Sequence, residues 1–220
     1  MDDPAKIDAG ATRRRAWRLF VAISLPEAVK NEMEKTQREL RAVLPRGVVR
    51  WTKREQFHLT LKFLGDVAEL RAAELIEALR TAGRHFSALR LRAAGIGFFP
   101  DARRPRVIWA GAQDDAGALL RVQQSVEASV KDFATEGSAE RRDLPPGRRR
   151  SQEFTGHVTL GRIQRIQRAD AEILVKAAAR AAGQFFGEWT ADTVELIRSE
   201  LSSGGSRYTT LAAIPLSNLT

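Results

Sequence analysis

The sequence contains one order of strands and helices twice, and this repetition constrains the fold more than any other feature. The first half starts with the apolar segment RLFVAI at residues 18–23, and the second half starts with RVIWAGA at residues 106–112. In each half a helical pattern, a strand carrying a histidine, a second helical pattern and further strand follow. The repetition predicts an α+β protein with two pseudo-symmetric lobes. We expect each lobe to be a small, mostly antiparallel sheet with its helices on the outside and a cleft between the lobes.

The boundaries of the predicted elements follow from apolar periodicity and from capping residues, proline and glycine. The helices are predicted over about 26–44, 67–83, 115–134 and 168–182. The strands are predicted over about 18–23, 48–52, 56–64, 88–99, 106–112, 154–163, 186–200 and 208–216.

Two segments lack apolar periodicity and are predicted to be mobile. Residues 1–16 form a basic tail, so that a single bilobal domain spans residues 17–220. Residues 135–152 are rich in glycine, proline and arginine, and they fall where the second half is 11 residues longer than the first. This insertion either touches RNA phosphates or is an inert solvated loop.

The composition excludes several classes of protein and site. The chain has no cysteine, which excludes disulfides, thiolate zinc sites and cysteine nucleophiles. It has no apolar run of the roughly 18 residues that a transmembrane helix needs, and Asp2 and Asp3 do not suit a signal peptide. We therefore expect a cytoplasmic protein without membrane attachment.

The net charge of the chain is +9. Residues 1–18 and 134–152 each carry +2, so about +5 remains on the rest of the chain. Such a balance suits a polyanionic partner such as RNA, and an arginine-rich composition with solvated charge is the alternative.

Two of the three histidines occur in matching tetrapeptides, HLTL at residues 58–61 and HVTL at residues 157–160. Side chains alternate between the two faces of a strand, so the histidine and threonine of each motif share a face and the apolar residues point to the core. A two-fold arrangement of the lobes would bring the imidazoles of His58 and His157 and the hydroxyls of Thr60 and Thr159 to one cleft.

These groups suit the hydrolysis of a cyclic phosphodiester. The reaction needs a base for the attacking water, an acid for the leaving ribose oxygen and donors for the phosphoryl oxygens. Imidazole, with an ordinary pKa of about 6.5, serves as acid or base near neutral pH. Threonine hydroxyls and a bidentate arginine supply the donors. Neither motif has a further ligand at metal-binding spacing, so no metal and no cofactor are predicted.

The motifs resemble the two-histidine phosphoesterase superfamily, specifically its RNA 2',3'-cyclic phosphodiesterase branch, historically called 2'-5' RNA ligase. The resemblance covers nearly the whole chain from Arg18 to Leu216. It rests on RLFVAISLP, VRWT, HLTLKFLG, GFFP, PRVIWAG, HVTLGR and SELSSGGSRYTTLAAIPL. The pattern of the family is His-x-Thr-x-x-Phe in the first lobe and His-x-Thr-x-x-Arg in the second, and both are complete here with Phe63 and Arg162.

The resemblance implies metal-independent hydrolysis of RNA terminal 2',3'-cyclic phosphodiesters to 2'-phosphomonoester ends. It implies that His58 is the proton donor to the ribose O3', that His157 is the proton acceptor from water, that Thr60 and Thr159 bind the phosphate, that Arg162 clamps the transition state and that Phe63 stacks on the terminal base. The residues alone leave the acid and the base unassigned, because the two motifs are nearly symmetric.

Three alternatives stay open for the function. The first is an RNA- or nucleotide-binding module without turnover, against which two intact histidines argue. The same site could also act on other cyclic phosphates, such as cyclic ADP-ribose phosphate, or join RNA ends reversibly through 2',5' linkages. We expect a monomer whose partners are RNA or nucleotides with 2',3'-cyclic phosphate ends.

Two positions conflict with simple strand alternation. Phe63 and Arg162 each lie five residues after their histidine, which in an ideal strand puts them on the opposite face. A bulge at Gly161 would re-aim Arg162, but no glycine precedes Phe63, for which core packing is the alternative to base stacking. The remaining candidates are interpreted as structural: His85 at the end of a helix, and Trp51, Trp109 and Trp189 as core residues.

Overall fold

The computed structural model describes residues 15–133, 154–202 and 205–216. The predicted insertion at 135–152 and all but the last two residues of the predicted tail lie outside these ranges. The first strand begins at Ala16, one residue before the predicted start of the domain.

The described residues form four α-helices and nine strands. The helices are α1 (Glu27–Ala42), α2 (Ala72–Gly83), α3 (Ala118–Ser129) and α4 (Arg168–Arg180). The strands are β1 (Ala16–Ser24), β2 (Val49–Trp51), β3 (His58–Ala68), β4 (Leu89–Phe99), β5 (Val107–Gln113), β6 (His157–Ile163), β7 (Phe185–Ala191), β8 (Thr193–Ser202) and β9 (Gly205–Pro215). Several boundaries differ from the prediction. β3 continues to Ala68 before α2, the helix predicted over 115–134 ends at Ser129, the strand predicted over 154–163 begins at His157, and the strand predicted over 186–200 is two strands that part at Asp192.

Local chemistry explains where the first helix of each half begins. Before α1, Pro26 is extended, and Glu27 in the first turn with Arg41 in the last turn complements the helix dipole. Before α3, the carboxylate of Asp114 accepts hydrogen bonds from the backbone N–H groups of Ala118 (2.6 Å) and Leu119 (3.2 Å). These bonds satisfy donors that an uncapped helix would leave without partners.

All nine strands belong to one antiparallel sheet. Its order is β7-β4-β5-β6-β3-β1-β8-β9, with β2 paired to β6. The α+β class and the mostly antiparallel sheet are therefore confirmed. The arrangement differs from the predicted one because the final strands of the two halves are exchanged: β4 pairs with β5, and β8 pairs with β1. The two-fold relation of two lobes stays a prediction.

The two motif strands meet at the middle of this sheet. β3 and β6 are joined by one residue pair, Leu59 with Val158, and both side chains are fully buried. The residues that precede Leu59 and Val158 are the two motif histidines. With the final strands exchanged, the sheet order consists of two groups of four strands, β7-β4-β5-β6 and β3-β1-β8-β9. These two groups meet between β6 and β3.

The two faces of the sheet are packed differently. On β1, Leu19, Val21 and Ile23 belong to the main hydrophobic core, to which all four helices contribute. Phe20 and Ala22 point the other way and form a smaller cluster with Ile197 of β8. We call this second side of the sheet, opposite the helices, the site face. None of the helices in the described ranges is long and apolar enough to span a bilayer.

Candidate active site

The histidine and threonine of both motifs lie together on the site face. Leu59 and Val158 are directly paired and belong to the main core, so their neighbours point away from the helices. Because the strands are antiparallel, His58 lies beside Thr159 and Thr60 lies beside His157. All four of these residues are partly buried. The structure therefore brings together the imidazoles and hydroxyls that the sequence predicted to share a cleft.

The backbone carbonyl two residues upstream orients the imidazole of His157 but not that of His58. Nδ1 of His157 lies 2.8 Å from the carbonyl oxygen of Thr155. Nδ1 of His58 is buried and faces the backbone of Gln56 without completing a hydrogen bond. A carbonyl oxygen can only accept, so Nδ1 of His157 carries the proton when the ring is neutral. The free lone pair is then on Nε2, the nitrogen turned away from the backbone.

A bulge in β6 re-aims Arg162. Trp109 of β5 pairs with Thr159 and Ile108 pairs with Gly161, so Leu160 is an extra residue in β6. Leu160 and Gly161 are both buried, and Arg162 is exposed on the side of His157. The predicted bulge next to Gly161 is therefore confirmed, and the odd offset of Arg162 from His157 puts it on the site face.

An equivalent bulge in β3 re-aims Phe63. Ala22 pairs with Thr60 and Val21 pairs with Lys62, which makes Leu61 an extra residue. Phe63 then pairs with Phe20 and packs against its ring at a centroid distance of 5.6 Å. The ring of Phe63 packs against the small buried cluster on the site face and not against the main core, and its stacking on a base stays a prediction.

Aromatic rings flank each histidine. Next to His58, the ring of Tyr208 lies at a centroid distance of 5.5 Å and that of Phe20 at 6.1 Å, both edge to face. Next to His157, Phe99 lies at 4.9 Å and Trp109 at 6.2 Å. The contacts of Tyr208, Phe20 and Phe99 are edge to face, a packing that fixes ring orientation. Aromatic neighbours therefore hold both imidazoles, and a backbone carbonyl also holds that of His157.

The interpretation of Trp109 as a core residue is wrong. Its ring crosses the backbone of Gly97, where a Cβ atom would lie 2.1 Å from the indole, and it faces His157. Trp51 and Trp189 pack against the main core as predicted. His85 is exposed beyond the end of α2, in agreement with its interpretation as structural.

Burial is the main influence on the titration of both histidines. It lowers the pKa of His58 and of His157 below the ordinary imidazole value. The positive charges of Lys30, near His58, and of Arg162, near His157, lower these pKa values further, whereas the carboxylate of Glu195 raises that of His58. Glu195 lies on β8 opposite Ala22 and accepts a hydrogen bond from the Thr210 hydroxyl at 3.3 Å. The small Ala22 side chain separates it from the first motif.

Sequence reasoning missed four residues of this face: Phe20, Phe99, Glu195 and Tyr208. The sequence places Phe20 and Phe99 in apolar strands, with no signal that distinguishes them from core residues. Tyr208 lies three strands from His58 in the sheet order, about 14 Å in a flat sheet, and reaches it because the sheet curls over the site face. Among the described residues, no group of three or more His, Cys, Asp and Glu side chains could hold a metal ion.

Comparison with known proteins finds related phosphoesterases. The family model described as LigT like Phosphoesterase matches residues 23–109, which include the first motif. An RNA 2',3'-cyclic phosphodiesterase of Archaeoglobus fulgidus is 30% identical over 191 residues, 87% of this chain and 96% of that protein. One of Aeropyrum pernix is 36% identical over 157 residues, 71% of this chain and 80% of that protein.

The chain belongs to the LigT-like phosphoesterases. Its membership of this family confirms the resemblance seen in the sequence, and it makes the protein an enzyme of the hydrolase class. The crystal structure of TT0787 of Thermus thermophilus is 29% identical, covers 92% of this phosphoesterase and 100% of the Thermus chain, and superposes with a TM-score of 0.70. The fold is therefore shared over nearly the full length.

Proposed function

We propose that this phosphoesterase hydrolyses terminal 2',3'-cyclic phosphodiesters of RNA to 2'-phosphomonoesters, with His58 and His157 as the proton-transfer pair and without a metal. The observation that carries the proposal is the pairing of Leu59 with Val158, which sets the two His-x-Thr motifs side by side on one face. The names of the Archaeoglobus and Aeropyrum relatives support the substrate class.

In the proposed reaction, Nε2 of His157 removes a proton from water as the water oxygen attacks phosphorus. A new P–O bond forms, the bond between phosphorus and O3' breaks, and Nε2 of His58 gives its proton to O3'. The products are a 2'-phosphomonoester and a free 3'-hydroxyl. The carbonyl of Thr155 supports the role of His157, because it holds the proton on Nδ1 and leaves Nε2 as the base.

The other site residues bind the phosphate and the base. Thr60 and Thr159 stand beside the opposite histidine and donate hydroxyl hydrogen bonds to the phosphoryl oxygens. Arg162 offers two parallel N–H donors to charge that develops in the transition state. Phe63 offers its ring to the terminal base, and such stacking contributes about 1–3 kcal/mol per base.

These groups supply each function that the reaction needs, which supports a metal-independent mechanism. Turnover is therefore expected to persist in excess EDTA. Loss of turnover in EDTA that a divalent ion restores would contradict this part of the proposal. We also infer that the enzyme acts as a cytoplasmic monomer on RNA or nucleotide ends, which sedimentation of the purified protein and cell fractionation test.

The decisive experiment uses an oligoribonucleotide that ends in a 2',3'-cyclic phosphate. The purified enzyme is expected to convert it to a 2'-phosphate end, identified by mass spectrometry after a 3'-hydroxyl-specific reaction. His58→Ala and His157→Ala should each lower kcat by roughly 10²- to 10⁴-fold, because each removes one proton-transfer group. His85→Ala is the matched control, since His85 is exposed and remote from both motifs.

Near wild-type turnover by either motif variant would refute the two-histidine mechanism. Thermal unfolding of each variant shows whether its fold is intact. A 3'-phosphate product would refute the proposed leaving group, because it would mean that the bond to O2' breaks.

A further inference from the structure

We propose that Gln37, a buried residue of α1, is a positioning residue for Arg162: its side-chain amide holds the backbone bulge that turns Arg162 to the site face. This inference rests on the proposed function, in which Arg162 binds charge that develops on the phosphoryl group. It extends the site to a helix on the other side of the sheet, 123 residues before Leu160 in the chain.

Gln37 is a polar residue in the buried stripe of an amphipathic helix. The same stripe of α1 buries Val29, Met33 and Leu40, and Gln37 lies one turn after Met33. Gln37 is only 4% exposed. A buried amide costs free energy unless it forms hydrogen bonds, whereas an apolar side chain of similar size would fill the position without that cost. The residue type therefore directs attention to the hydrogen bonds that the amide forms.

The amide nitrogen of Gln37 bonds to two backbone carbonyls beside the second motif. Nε2 donates to the carbonyl oxygen of Thr52 at 2.7 Å and to that of Leu160 at 2.8 Å. Both acceptors are carbonyl oxygens, so the two N–H groups of the amide are what this place requires. The Leu160 carbonyl also accepts a hydrogen bond from the backbone N–H of Thr52 at 3.0 Å. These three bonds join α1, the end of β2 and the bulge of β6.

The bonds lie where β6 changes its neighbour in the sheet. Val158 pairs with a residue of β3, and Gly161 pairs with Trp51 of β2. Leu160 lies between them and is the extra residue of the bulge. Because glycine has no Cβ, the backbone at Gly161 is less restricted than at other residues. Contacts from outside the strand are therefore needed to hold the bulge in one conformation, and Gln37 supplies two of them.

The conformation of this bulge decides where Arg162 points. Arg162 lies two residues after Leu160, and without the extra residue the alternation of the strand would put it on the face opposite His157. A misplacement of about 1 Å at a reacting centre lowers the rate by up to roughly 10²-fold. Loss of the Gln37 amide should therefore lower turnover although Gln37 itself touches no substrate.

A double-mutant cycle with Arg162 tests this role. Gln37→Met replaces the amide with an apolar side chain of similar length. On a nucleoside 2',3'-cyclic monophosphate, kcat should fall about 10- to 100-fold in Gln37→Met. In an Arg162→Ala background the same substitution should leave kcat unchanged, because the guanidinium group that it misplaces is absent. Thermal unfolding gives the temperatures at which each variant is folded, and Gln37→Leu is the second variant if Gln37→Met does not fold.

Gln123→Met is the matched control for loss of a buried amide. Gln123 is 7% exposed on α3, and its amide donates to the carboxylate of Glu127 on the same helix at 2.9 Å. Gln123→Met therefore removes a buried glutamine whose hydrogen bond stays within one helix. Its effect on kcat should be the same factor with Arg162 and with Arg162→Ala.

A binding measurement separates this inference from the proposed reaction. The probe is inorganic phosphate, and its affinity is measured by calorimetry without any turnover. Arg162→Ala should weaken phosphate binding about tenfold, since one charge-assisted contact is lost. Gln37→Met should also weaken it, and the double variant should bind phosphate no more weakly than Arg162→Ala. This coupling holds even if cyclic phosphates are not the substrate.

Three results would overturn the positioning role. A folded Gln37→Met enzyme with wild-type kcat and phosphate affinity would show that the amide does not act on the site. If Gln37→Met lowers kcat by the same factor with Arg162 and with Arg162→Ala, its effect does not pass through Arg162. If Arg162→Ala leaves both kcat and phosphate affinity unchanged, the role of Arg162 in the proposed function fails, and the role of Gln37 fails with it.

Discussion

Burial shifts the pKa of both motif histidines in the same direction, so the charged neighbours of each ring set the difference between them. It lowers the pKa of His58 and His157. The charged side chains near His58 act in opposite senses, Lys30 from α1 lowering its pKa and Glu195 from β8 raising it. Tyr208 from β9, whose own pKa is raised, is neutral at the same pH.

These shifts predict an acid-shifted pH profile for kcat/KM. The acid must be protonated and the base must be neutral, so activity falls above the pKa of the acid and below that of the base. Because both pKa values are below the ordinary imidazole value of about 6.5, both limbs of the bell should lie at lower pH than for two exposed histidines. The initial rate on a cyclic mononucleotide, followed from about pH 4 to about pH 9 on either side of the imidazole range, measures this. A maximum well above neutral pH would contradict it.

Glu195→Gln identifies which histidine is the acid. Removing the carboxylate lowers the pKa of His58 further, because only the charge that raised it is lost. If His58 is the acid, the alkaline limb moves to lower pH and the acid limb stays in place. Lys30→Gln should move the same limb to higher pH. A shift of the acid limb instead would make His58 the base, the assignment that the near-symmetric motifs leave open.

Arg162→Lys separates two-pronged binding from positive charge. Lysine keeps the charge but cannot donate two parallel hydrogen bonds to a phosphoryl group, so kcat on a minimal cyclic nucleotide should fall about 10²-fold. Arg84→Lys is the control for the chemical change alone. Unchanged kcat in Arg162→Lys would assign Arg162 to electrostatic attraction of the substrate and not to the transition state.

At the scale of residues, the sequence predicts the two histidines, His58 and His157, but not the side chains around them. The spacing of histidine and threonine in each motif was enough to predict that these four residues share a face. Glu195 and Tyr208 are distant in sequence from both motifs, and only the order of strands brings them next to His58. Trp109 has the same apolar strand context as Trp51, and which of the two faces the site depends on the register of β5 with β6.

At the scale of elements, β3 and β6 contain the same irregularity, a β-bulge. Each strand has an extra residue directly after its threonine, Leu61 in β3 and Leu160 in β6. The extra residue changes the alternation, so the sixth residue of each motif returns to the face of the first. This shared bulge explains how Phe63 and Arg162 reach the site face from an odd offset.

Gly161→Ala tests the bulge in β6. An added Cβ would lie 2.7 Å from Cγ1 of Val49 and 3.1 Å from the ring of Trp51, so the strand must shift. We expect a loss of about 1–3 kcal/mol in the free energy of unfolding and a lower kcat, because Arg162 is displaced. Denaturant unfolding and turnover measure the two effects.

Two further variants make the test specific to crowding at Gly161. Gly183→Ala is the control, since no atom lies within 4 Å of the Cβ it would gain. Adding Val49→Ala to Gly161→Ala removes the closest atom and should restore part of kcat. If kcat falls in Gly161→Ala and the double variant shows no recovery, the crowding argument fails.

The sequence predicts most elements but not their irregularities. Glycine at position 161 was a local signal for one bulge, whereas β3 bulges at Leu61 without a glycine, and the register with β1 alone reveals it. The break between β7 and β8 also lacks a strong signal, because Asp192 is a single polar residue in a continuous strand pattern. The strand propensity of a single residue does not show whether the chain turns there, as at Asp192, or continues as an exposed part of a strand.

For the whole molecule, repetition in the sequence predicts two halves but not the strand with which each strand pairs. Local patterns specify β4 and β8 as strands, while their pairing partners depend on packing across the whole chain. In the structure β4 pairs with β5 and β7, and β8 pairs with β1 and β9. The final strands of each half therefore pair with strands of the other half within one sheet.

This exchange predicts that neither half folds alone. Cutting the chain between Ala102 and Arg103, in the exposed turn between β4 and β5, leaves only the β1–β3 pair in the first fragment. The second fragment keeps only the β5–β6 and β8–β9 pairs among the described strands. Isolated two-stranded units are marginal in water, so each fragment should lack a cooperative unfolding transition.

Mixing the two fragments should restore both the fold and the activity, because β3 and β6 can then meet at Leu59 and Val158 and align the histidines. Circular dichroism during denaturant titration and turnover of a cyclic phosphate follow the two recoveries. Mixing a wild-type second fragment with a first fragment carrying His58→Ala should restore the fold without turnover. If either fragment alone unfolds cooperatively, the halves are independent lobes, and the exchanged strands are not what holds the two motifs together.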